Sequence, residues 1–333
     1  MKLTRDLKIA RRSLSTALRA ASAMMRLPGA TTPTEFSRYA AGSGGVIETH
    51  DFGSNPGKLA MLVYAPPTPP APGAPLVVVL HGCGQDAAAF AADTGWMALA
   101  DRLGFPLLLP EQGEANNRGR CFNWFRPSHT RRGRGEALSI RQMITEAIRR
   151  FGSDPRRVFI VGLSAGGSMA AAMLASYPEV FAAGAVVAGL PVGAASGPAQ
   201  ALTRMAQAGP ERTAAAWAGE VLGTAPPRFT GPWPRLSVWT GSEDRVVDPQ
   251  NARLLARQWS ELHGYSEHPW SETDIPPATR KAWGPEDRPA VELWTIPGLA
   301  HGYPVSEGGN PEDFVPAAGI DATAHIARFW GLT

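Results

Sequence analysis

Short runs of apolar residues recur along most of this chain, and segments with the spacing of amphipathic helices separate them. The apolar runs, rich in Val, Leu and Ile, cover 76–82, 105–111, 157–163, 183–191, 236–241 and 291–298. The helical patterns cover 87–103, 136–151, 165–177, 248–263 and 317–330. Continuous apolar strands that alternate with amphipathic helices are typical of a mostly parallel sheet with helices on both faces. The predicted fold class is therefore α/β.

The segments outside this alternation are predicted as two early strands, a connection and an excursion. Residues 45–52 and 58–66 have strand character, and the proline-rich stretch 66–75 can form neither a paired strand nor a helix. Residues 193–234 are rich in Gly, Ala and Pro, and only 197–209 has a clear helical pattern. We expect this stretch to cross the carboxyl edge of the sheet, where ligands bind in open α/β folds.

The composition supports a globular protein and does not favour nucleic-acid binding. The chain has 333 residues, of which 44% are hydrophobic, and this is enough for a full-sized core. The formal net charge is +3, and the basic residues concentrate in the first 26 positions and in 126–135. The remainder is close to neutral, so no nucleic-acid partner is expected. Because no run of 18 apolar residues occurs, we expect no membrane-spanning helix.

The first 35 residues are predicted to form an amphipathic helical extension and linker ahead of a single domain at 40–333. Apolar and basic side chains separate onto different faces of a helix drawn through 1–26, with Leu3, Leu7, Leu14, Leu18 and Met25 opposed to Lys2, Arg5, Lys8, Arg12, Arg19 and Arg26. A secretory signal peptide needs an unbroken apolar run of roughly 7–15 residues, which this stretch lacks. Two alternatives stay open: a helix packed loosely on the domain or frayed, and weak contact with a membrane or another surface.

The stretch VFIVGLSAGGSMAA (158–171) places Ser164 between Gly162 and Gly166, after a buried-type strand and before an alanine-rich helix. This pattern predicts a nucleophile elbow, a tight strand-to-helix turn that lifts a serine hydroxyl above the sheet. The flanking glycines allow the strained turn and the close packing of helix on strand. Ser164 is therefore the candidate nucleophile.

An acid and a base are expected on loops that follow later strands. LSVWTGSEDRVVDPQN offers Asp244, whereas Asp248 stands before a proline at a helix start, an arrangement typical of an N-cap. VELWTIPGLAHGYPV places His301 on the loop after the final strand. Asp244 is the preferred acid and Asp248 the alternative. The chain order of Ser164, Asp244 and His301 is the order of catalytic triads in α/β hydrolases.

Two backbone N–H groups are expected to bind the negative charge that develops on an attacked carbonyl. One belongs to Ala165, directly after the nucleophile at a helix N-terminus. The other belongs to Cys83, in the sequence VVVLHGCGQD after an earlier strand. His81 is interpreted as a residue that orders this loop. The chain has two cysteines, and Cys83 and Cys121 could form a bridge between two loops of the site or remain free buried thiols.

Several motifs in the same order resemble those of the polyhydroxybutyrate (PHB) depolymerase-type esterases, which include feruloyl and acetylxylan esterases. The resemblance rests on LHGCGQD, CFNWF, GLSAGGSMAA, GAVVAGLPVGAA, GSEDRVV and GLAHGYPV, and it runs from about residue 45 to the C-terminus. It implies an α/β-hydrolase fold and hydrolysis of carboxylic esters. Ser164, Asp244 and His301 match the family's triad, and Cys83 matches its oxyanion position.

The resemblance also implies a role for the loop NNRGRCFNWF. On physical grounds alone, Trp124 and Phe125 could be simple core anchors. In the family this segment lines the substrate cleft, so Trp124 and Phe125 become candidate walls for an acyl or aryl group.

The expected activity is that of a serine esterase that acts through an acyl-enzyme on hydroxyalkanoate oligomers or related short esters. No metal or organic cofactor is expected. The chain ends soon after the helix that follows His301 and has no clear signal peptide. Soluble oligomers are therefore expected rather than crystalline polymer, although the family resemblance suggests an extracellular protein. The alternatives are a feruloyl or acetylxylan esterase and, in another class, a non-catalytic binding protein on the same fold.

Overall fold

The computed structural model describes residues 44–265 and 268–333. The amphipathic extension predicted for 1–35, and the surface contact proposed for it, lie outside the described residues. Among the helices in the described ranges, none is both long enough and apolar enough to cross a membrane.

A ten-stranded sheet runs through the protein in the order β1-β2-β4-β3-β5-β6-β7-β10-β9-β8. The strands are β1 (Gly45–Thr49), β2 (Ala60–Ala65), β3 (Leu76–Leu80), β4 (Leu107–Glu111), β5 (Val158–Leu163), β6 (Ala183–Val187), β7 (Arg235–Gly241), β8 (Ser271–Ile275), β9 (Ala278–Trp283) and β10 (Val291–Ile296). The strands from β4 to β10 in the sheet order pair in parallel. Two antiparallel strands extend each edge.

Helices cover both faces of this sheet. They are α1 (Ala87–Asp93), α2 (Trp96–Leu103), α3 (Pro127–Thr130), α4 (Gly135–Phe151), α5 (Ala165–Ser176), α6 (Pro198–Ala206), α7 (Ala214–Leu222), α8 (Gln250–Leu262) and α9 (Ala322–Trp330). Successive residues of β3 alternate between two apolar clusters: Leu76, Val78 and Leu80 join the cluster of α4, α5 and α8, and Val77 and Val79 join the cluster of α1, α2 and α9. A strand buried on both faces reads as a continuous apolar run, which confirms the predicted fold class.

Three elements differ from the sequence predictions. The single helix predicted at 87–103 is wrong, because Gly95 adopts a left-handed conformation (φ 78°) between α1 and α2. The stretch 193–234 contains two helices rather than one, and the second is capped by Thr213, whose hydroxyl accepts the Ala216 N–H at 3.1 Å. The hairpin of β8 and β9 was not predicted, because a polar edge pair lacks the apolar signal of a buried strand.

The parallel strands bring their carboxyl ends to one edge of the sheet. The loops after β3, β5, β7 and β10 leave from this edge and contain the predicted site residues. Segments that lie more than 100 residues apart in the sequence therefore meet at the place where open α/β sheets bind ligands.

Candidate active site

Ser164 lies in the sharp turn between β5 and α5, with φ 56° and ψ −115°. This is a strained backbone conformation for a residue with a side chain. The two flanking glycines make the turn possible, because a Cβ on Gly162 would lie 2.3 Å from the Gly166 carbonyl carbon and a Cβ on Gly166 would lie 2.3 Å from the Leu80 oxygen. Larger residues at either position would separate α5 from the sheet.

Hydrogen bonds around the turn fix the backbone of Ser164. Its N–H donates to the Val187 oxygen at 2.8 Å, and its carbonyl oxygen accepts the Ser168 hydroxyl at 3.1 Å. Serine is a favoured N-cap residue. Within the described first turn of α5, however, no backbone N–H donates a hydrogen bond to the Ser164 hydroxyl. The adjacent Ala165 begins α5, so its N–H belongs to the positive end of the helix dipole.

Asp244 and His301 form a buried pair on the loops after β7 and β10. His301 Nδ1 lies 2.7 Å from Asp244 Oδ2, and the two residues are 7% and 5% exposed. The other carboxylate oxygen, Oδ1, accepts the N–H groups of Val246 at 2.9 Å and Val247 at 2.8 Å. Two backbone donors therefore fix the carboxylate through Oδ1, and its other oxygen, Oδ2, orients the imidazole.

Asp248, the alternative acid, has a different set of contacts. Its Oδ1 accepts the Gln250 N–H at 2.9 Å at the start of α8, and its Oδ2 accepts the Ala208 N–H at 3.0 Å. Asp248 thus satisfies donors at a helix start and in the excursion after α6. Of the two aspartates, the structure brings Asp244 to His301.

The loops that contain these residues are joined along the sheet edge. The Ser242 N–H donates to the Ile296 oxygen at 3.0 Å, and the Glu243 N–H donates to the Leu299 oxygen at 3.0 Å. Within residues 44–265 and 268–333, no hydrogen bond joins the Ser164 hydroxyl to His301 Nε2. Proton-transfer contacts are commonly long in ligand-free enzymes and shorten in the substrate complex.

The peptide between Gly82 and Cys83 is oriented by His81. His81 Nδ1 donates to the Gly82 oxygen at 2.6 Å, and the Gln112 N–H donates to His81 Nε2 at 3.1 Å. Because Nε2 accepts a hydrogen bond, the neutral ring has its proton on Nδ1. A trans peptide is planar, so fixing the Gly82 carbonyl also fixes the Cys83 N–H in the opposite direction. This agrees with the interpretation of His81 as a residue that orders the loop.

The acid sensitivity of folding is expected to depend on His81. The pKa of His81 is lowered from 6.5 to about 4, mainly by burial and to a smaller extent by the neighbouring Arg120, while the Gly82 oxygen and nearby carboxylates oppose the shift. Above pH 6.5 the ring is neutral in both folded and unfolded chains. Between pH 6.5 and 4 only the unfolded chain takes up the proton, and this costs the fold on the order of 3 kcal/mol.

Urea denaturation between pH 7 and pH 4 measures this effect. His81→Asn, which cannot titrate, should lose less unfolding free energy over that range than the wild type. Equal losses in the two proteins would contradict the lowered pKa of His81 as a source of the acid sensitivity.

A disulfide joins Cys83 to Cys121, and this decides between the two alternatives left open by the sequence. The Cα atoms are 4.2 Å apart, and the bridge closes a sequence separation of 38 residues. It links the loop after β3 to the loop after β4. The side chain of Cys83, whose backbone N–H is the predicted oxyanion donor, is thus covalently bonded to the loop that contains Trp124.

A buried carboxylate that the sequence analysis missed organises that second loop. Glu136 is fully buried, and its oxygens accept the side-chain amides of Gln112 at 2.8 Å and Asn123 at 2.5 Å and the Asn123 N–H at 2.8 Å. Gln112 also donates to the Cys121 oxygen at 3.1 Å. A buried charge requires several donors, and here they come from the loop next to Trp124. The position of Glu136 in a helical pattern gave no signal of this role.

Trp124 is half-buried: part of its ring packs in the core, and part of it lines a cavity. It packs against an apolar cluster that includes Trp217 and Leu254, and it lines a cavity of about 200 Å³ together with Ser168 of α5. Phe125 packs edge-on against Trp124, with ring centroids 5.6 Å apart. The predicted contact of these residues with substrate stays a prediction.

Residues 59–271 match the family described as "Esterase PHB depolymerase". The chain belongs to this family. The match includes Ser164 and Asp244 and ends before His301. The poly(3-hydroxyalkanoate) depolymerase C of Paucimonas lemoignei is 38% identical in an alignment of 294 positions that covers 86% of this chain and 70% of that one. The acetylxylan esterase of Coprinopsis cinerea is 33% identical in an alignment of 277 positions that covers 79% of this chain and 71% of that one.

A solved structure shows the same architecture. The acetyl xylan esterase from Aspergillus awamori superposes with a TM-score of 0.75 at 25% identity, and the match covers 87% of this chain and 100% of that chain. The PHB depolymerase-family chain therefore has the α/β-hydrolase fold predicted from its motifs, and it is a carboxylic ester hydrolase.

Proposed function

We propose that this esterase hydrolyses hydroxyalkanoate oligomers, or related short esters, with Ser164 as nucleophile, His301 as general base and Asp244 as the orienting acid. The observation that carries the proposal is the buried hydrogen bond of 2.7 Å between His301 Nδ1 and Asp244 Oδ2. With Nδ1–H donating to the carboxylate, Nε2 is left as the proton acceptor that a serine hydroxyl requires.

The proposed reaction has two halves. In the first, His301 Nε2 takes the Ser164 proton as the hydroxyl oxygen attacks the ester carbonyl, and the N–H groups of Cys83 and Ala165 stabilise the oxyanion. The carbon–oxygen bond to the alcohol then breaks, and the alcohol leaves with the proton from His301. In the second half, water gives a proton to His301 as its oxygen attacks the acyl carbon; the bond between that carbon and the Ser164 oxygen then breaks, His301 returns the proton to Ser164, and the acid is released.

The proposed substrate class is supported by the relative named as a poly(3-hydroxyalkanoate) depolymerase, which is 38% identical. The half-buried Trp124, in the loop that the disulfide attaches to Cys83, offers an apolar wall next to α5, the helix that directly follows Ser164. Because structural disulfides persist in oxidising compartments, the bridge supports action outside the cytosol.

A second candidate substrate is an acetyl or hydroxycinnamoyl ester of plant polysaccharide. The TM-score of 0.75 to an acetyl xylan esterase favours it, together with the acetylxylan esterase that is 33% identical. The chemistry at Ser164 would be the same, and the two candidates differ in the alcohol and acyl groups that the cleft accepts.

A substrate panel on the purified protein separates these candidates. We expect kcat/KM for 3-hydroxybutyrate dimers and trimers to exceed that for acetylated xylo-oligosaccharides and methyl ferulate by about tenfold or more. A tenfold ratio corresponds to a difference of about 1.4 kcal/mol in transition-state stabilisation. Higher kcat/KM on either plant ester would transfer the proposal to the second candidate. A fluorophosphonate probe should label the wild type at Ser164, whereas an unlabelled protein would indicate a non-catalytic binding protein.

A further inference from the structure

Gln85 is a buried polar residue between the two halves of the candidate site, and the proposed reaction does not use it. The residue is 7% exposed. The amide oxygen accepts the Gly82 N–H at 2.6 Å, and the amide nitrogen donates to the Asp313 oxygen. One side chain thus bonds the turn before the predicted oxyanion donor and a segment 228 residues later in the sequence.

That later segment packs against His301. The ring of Phe314, the residue after Asp313, lies edge-on to the His301 ring with centroids 5.8 Å apart. Phe314 has φ 60°, a left-handed conformation that is rare for a bulky residue, and its oxygen accepts the Tyr303 N–H at 2.8 Å. A Cβ on Gly302 would lie 2.9 Å from that same oxygen. The segment therefore leaves little space for His301 to shift.

The other contacts of the oxyanion loop lead away from this segment. The disulfide and the His81 hydrogen bonds attach Gly82 and Cys83 to the loop after β4, on the side of Trp124. Gln85 attaches the same loop on the side of His301. Removing the Gln85 amide would therefore leave the disulfide and the His81 hydrogen bonds to support the oxyanion loop. It would remove the hydrogen bonds that connect this loop to the segment packed against His301.

We propose that Gln85 is a positioning residue that sets the distance between the oxyanion donor and the general base. The inference rests on the proposed function, because it assigns the oxyanion role to Cys83 and the base role to His301. The N–H of Cys83 must bind the carbonyl oxygen while His301 takes the proton of the hydroxyl that attacks the same carbonyl, and displacements of about 1 Å between catalytic groups can lower turnover by about 10²-fold. An amide suits this position, since it accepts from one loop and donates to the other.

Three variants test the proposal by kinetics and by hydrogen–deuterium exchange of the peptide covering 302–316. Gln85→Ala removes both bonds. Gln85→Glu keeps the acceptor for Gly82 and, once ionised, loses the donor to Asp313. Gln142→Ala is the matched control, because Gln142 also joins two segments, accepting the Asn55 N–H and donating to the Ser54 hydroxyl, each at 2.9 Å, and it lies outside the candidate site.

We expect both Gln85 variants to lower kcat by about 10- to 100-fold with KM within about twofold, since the effect falls on the transition state. Exchange in 302–316 should become faster in both, whereas the control should match the wild type in kcat and exchange. Unchanged exchange in the Gln85 variants would overturn the coupling, and faster exchange with unchanged kcat would overturn the positioning role. If Gln85→Ala does not fold, Gln85→Glu decides on the same criteria.

The proposed function can fail separately. A wild-type protein without Ser164-dependent hydrolysis of any ester in the panel would contradict it, and with it any catalytic role of Gln85. Exchange measured on that same protein would still show whether the two loops are coupled.

Discussion

Replacing Ser164 with alanine is expected to lower kcat for every ester that the protein hydrolyses by on the order of 10⁶-fold. The hydroxyl is the proposed attacking group, so its loss removes the covalent route and leaves only the residual effect of the oxyanion donors and of binding. Alanine has a Cβ like serine, so the strained turn at φ 56° keeps its geometry. Initial rates on the best substrate of the panel measure the effect.

The matched control for this variant is Ser168→Ala, one helical turn further along α5. Ser168 donates its hydroxyl to the Ser164 oxygen and accepts the Leu190 N–H at 3.0 Å, so its loss should cost stability of about 1–3 kcal/mol and far less activity than the loss of Ser164. Thermal denaturation should show Ser164→Ala as stable as the wild type. Activity of Ser164→Ala within tenfold of the wild type would contradict the assignment of the nucleophile.

Replacing Asp244 with asparagine is expected to lower kcat by about 10⁴-fold. Oδ1 of Asp244 accepts two backbone N–H groups, from Val246 and Val247, and the asparagine oxygen would retain those bonds. The amide nitrogen would then face His301 Nδ1, which would have to accept a hydrogen bond rather than donate one. The ring proton would move to Nε2, and that nitrogen could no longer act as the base.

Asp248→Asn is the control for charge and sequence position, because it removes an equal charge four residues away. Its contacts lie at the start of α8 and at Ala208, so kcat should change by less than about threefold and the unfolding free energy should fall by about 1 kcal/mol. A large loss of kcat in Asp248→Asn with little change in Asp244→Asn would show that the acid was assigned to the wrong aspartate.

The strands and the elbow could be predicted because their signals are local. β3 and β5 are apolar on both faces, so each reads as an uninterrupted run in the sequence. The elbow needs a strand, two close glycines and a helix within fourteen residues, and all of these are visible in 158–171.

Contacts between segments that lie apart in the sequence could not be predicted from local patterns. Gln85 meets Asp313, 228 residues away, and Glu136 meets Asn123, 13 residues away. For Cys83 and Cys121 the sequence left both a bridge and free thiols open. A polar residue in a helical or loop pattern reads as exposed, whereas Glu136 is fully buried. The break between α1 and α2 was missed because the apolar periodicity continues across Gly95, and a single glycine is compatible with a helix interior.

The covalent link between the loops after β3 and β4 makes redox history a property of every preparation of this enzyme. A sample purified with dithiothreitol, or produced in a reducing cytosol, can differ from an oxidised one in the freedom of the Gly82–Cys83 peptide before any substrate is added. Counting free thiols with an alkylating reagent would show whether the disulfide is oxidised or reduced in a given sample. Rate constants from different laboratories become comparable only after that count.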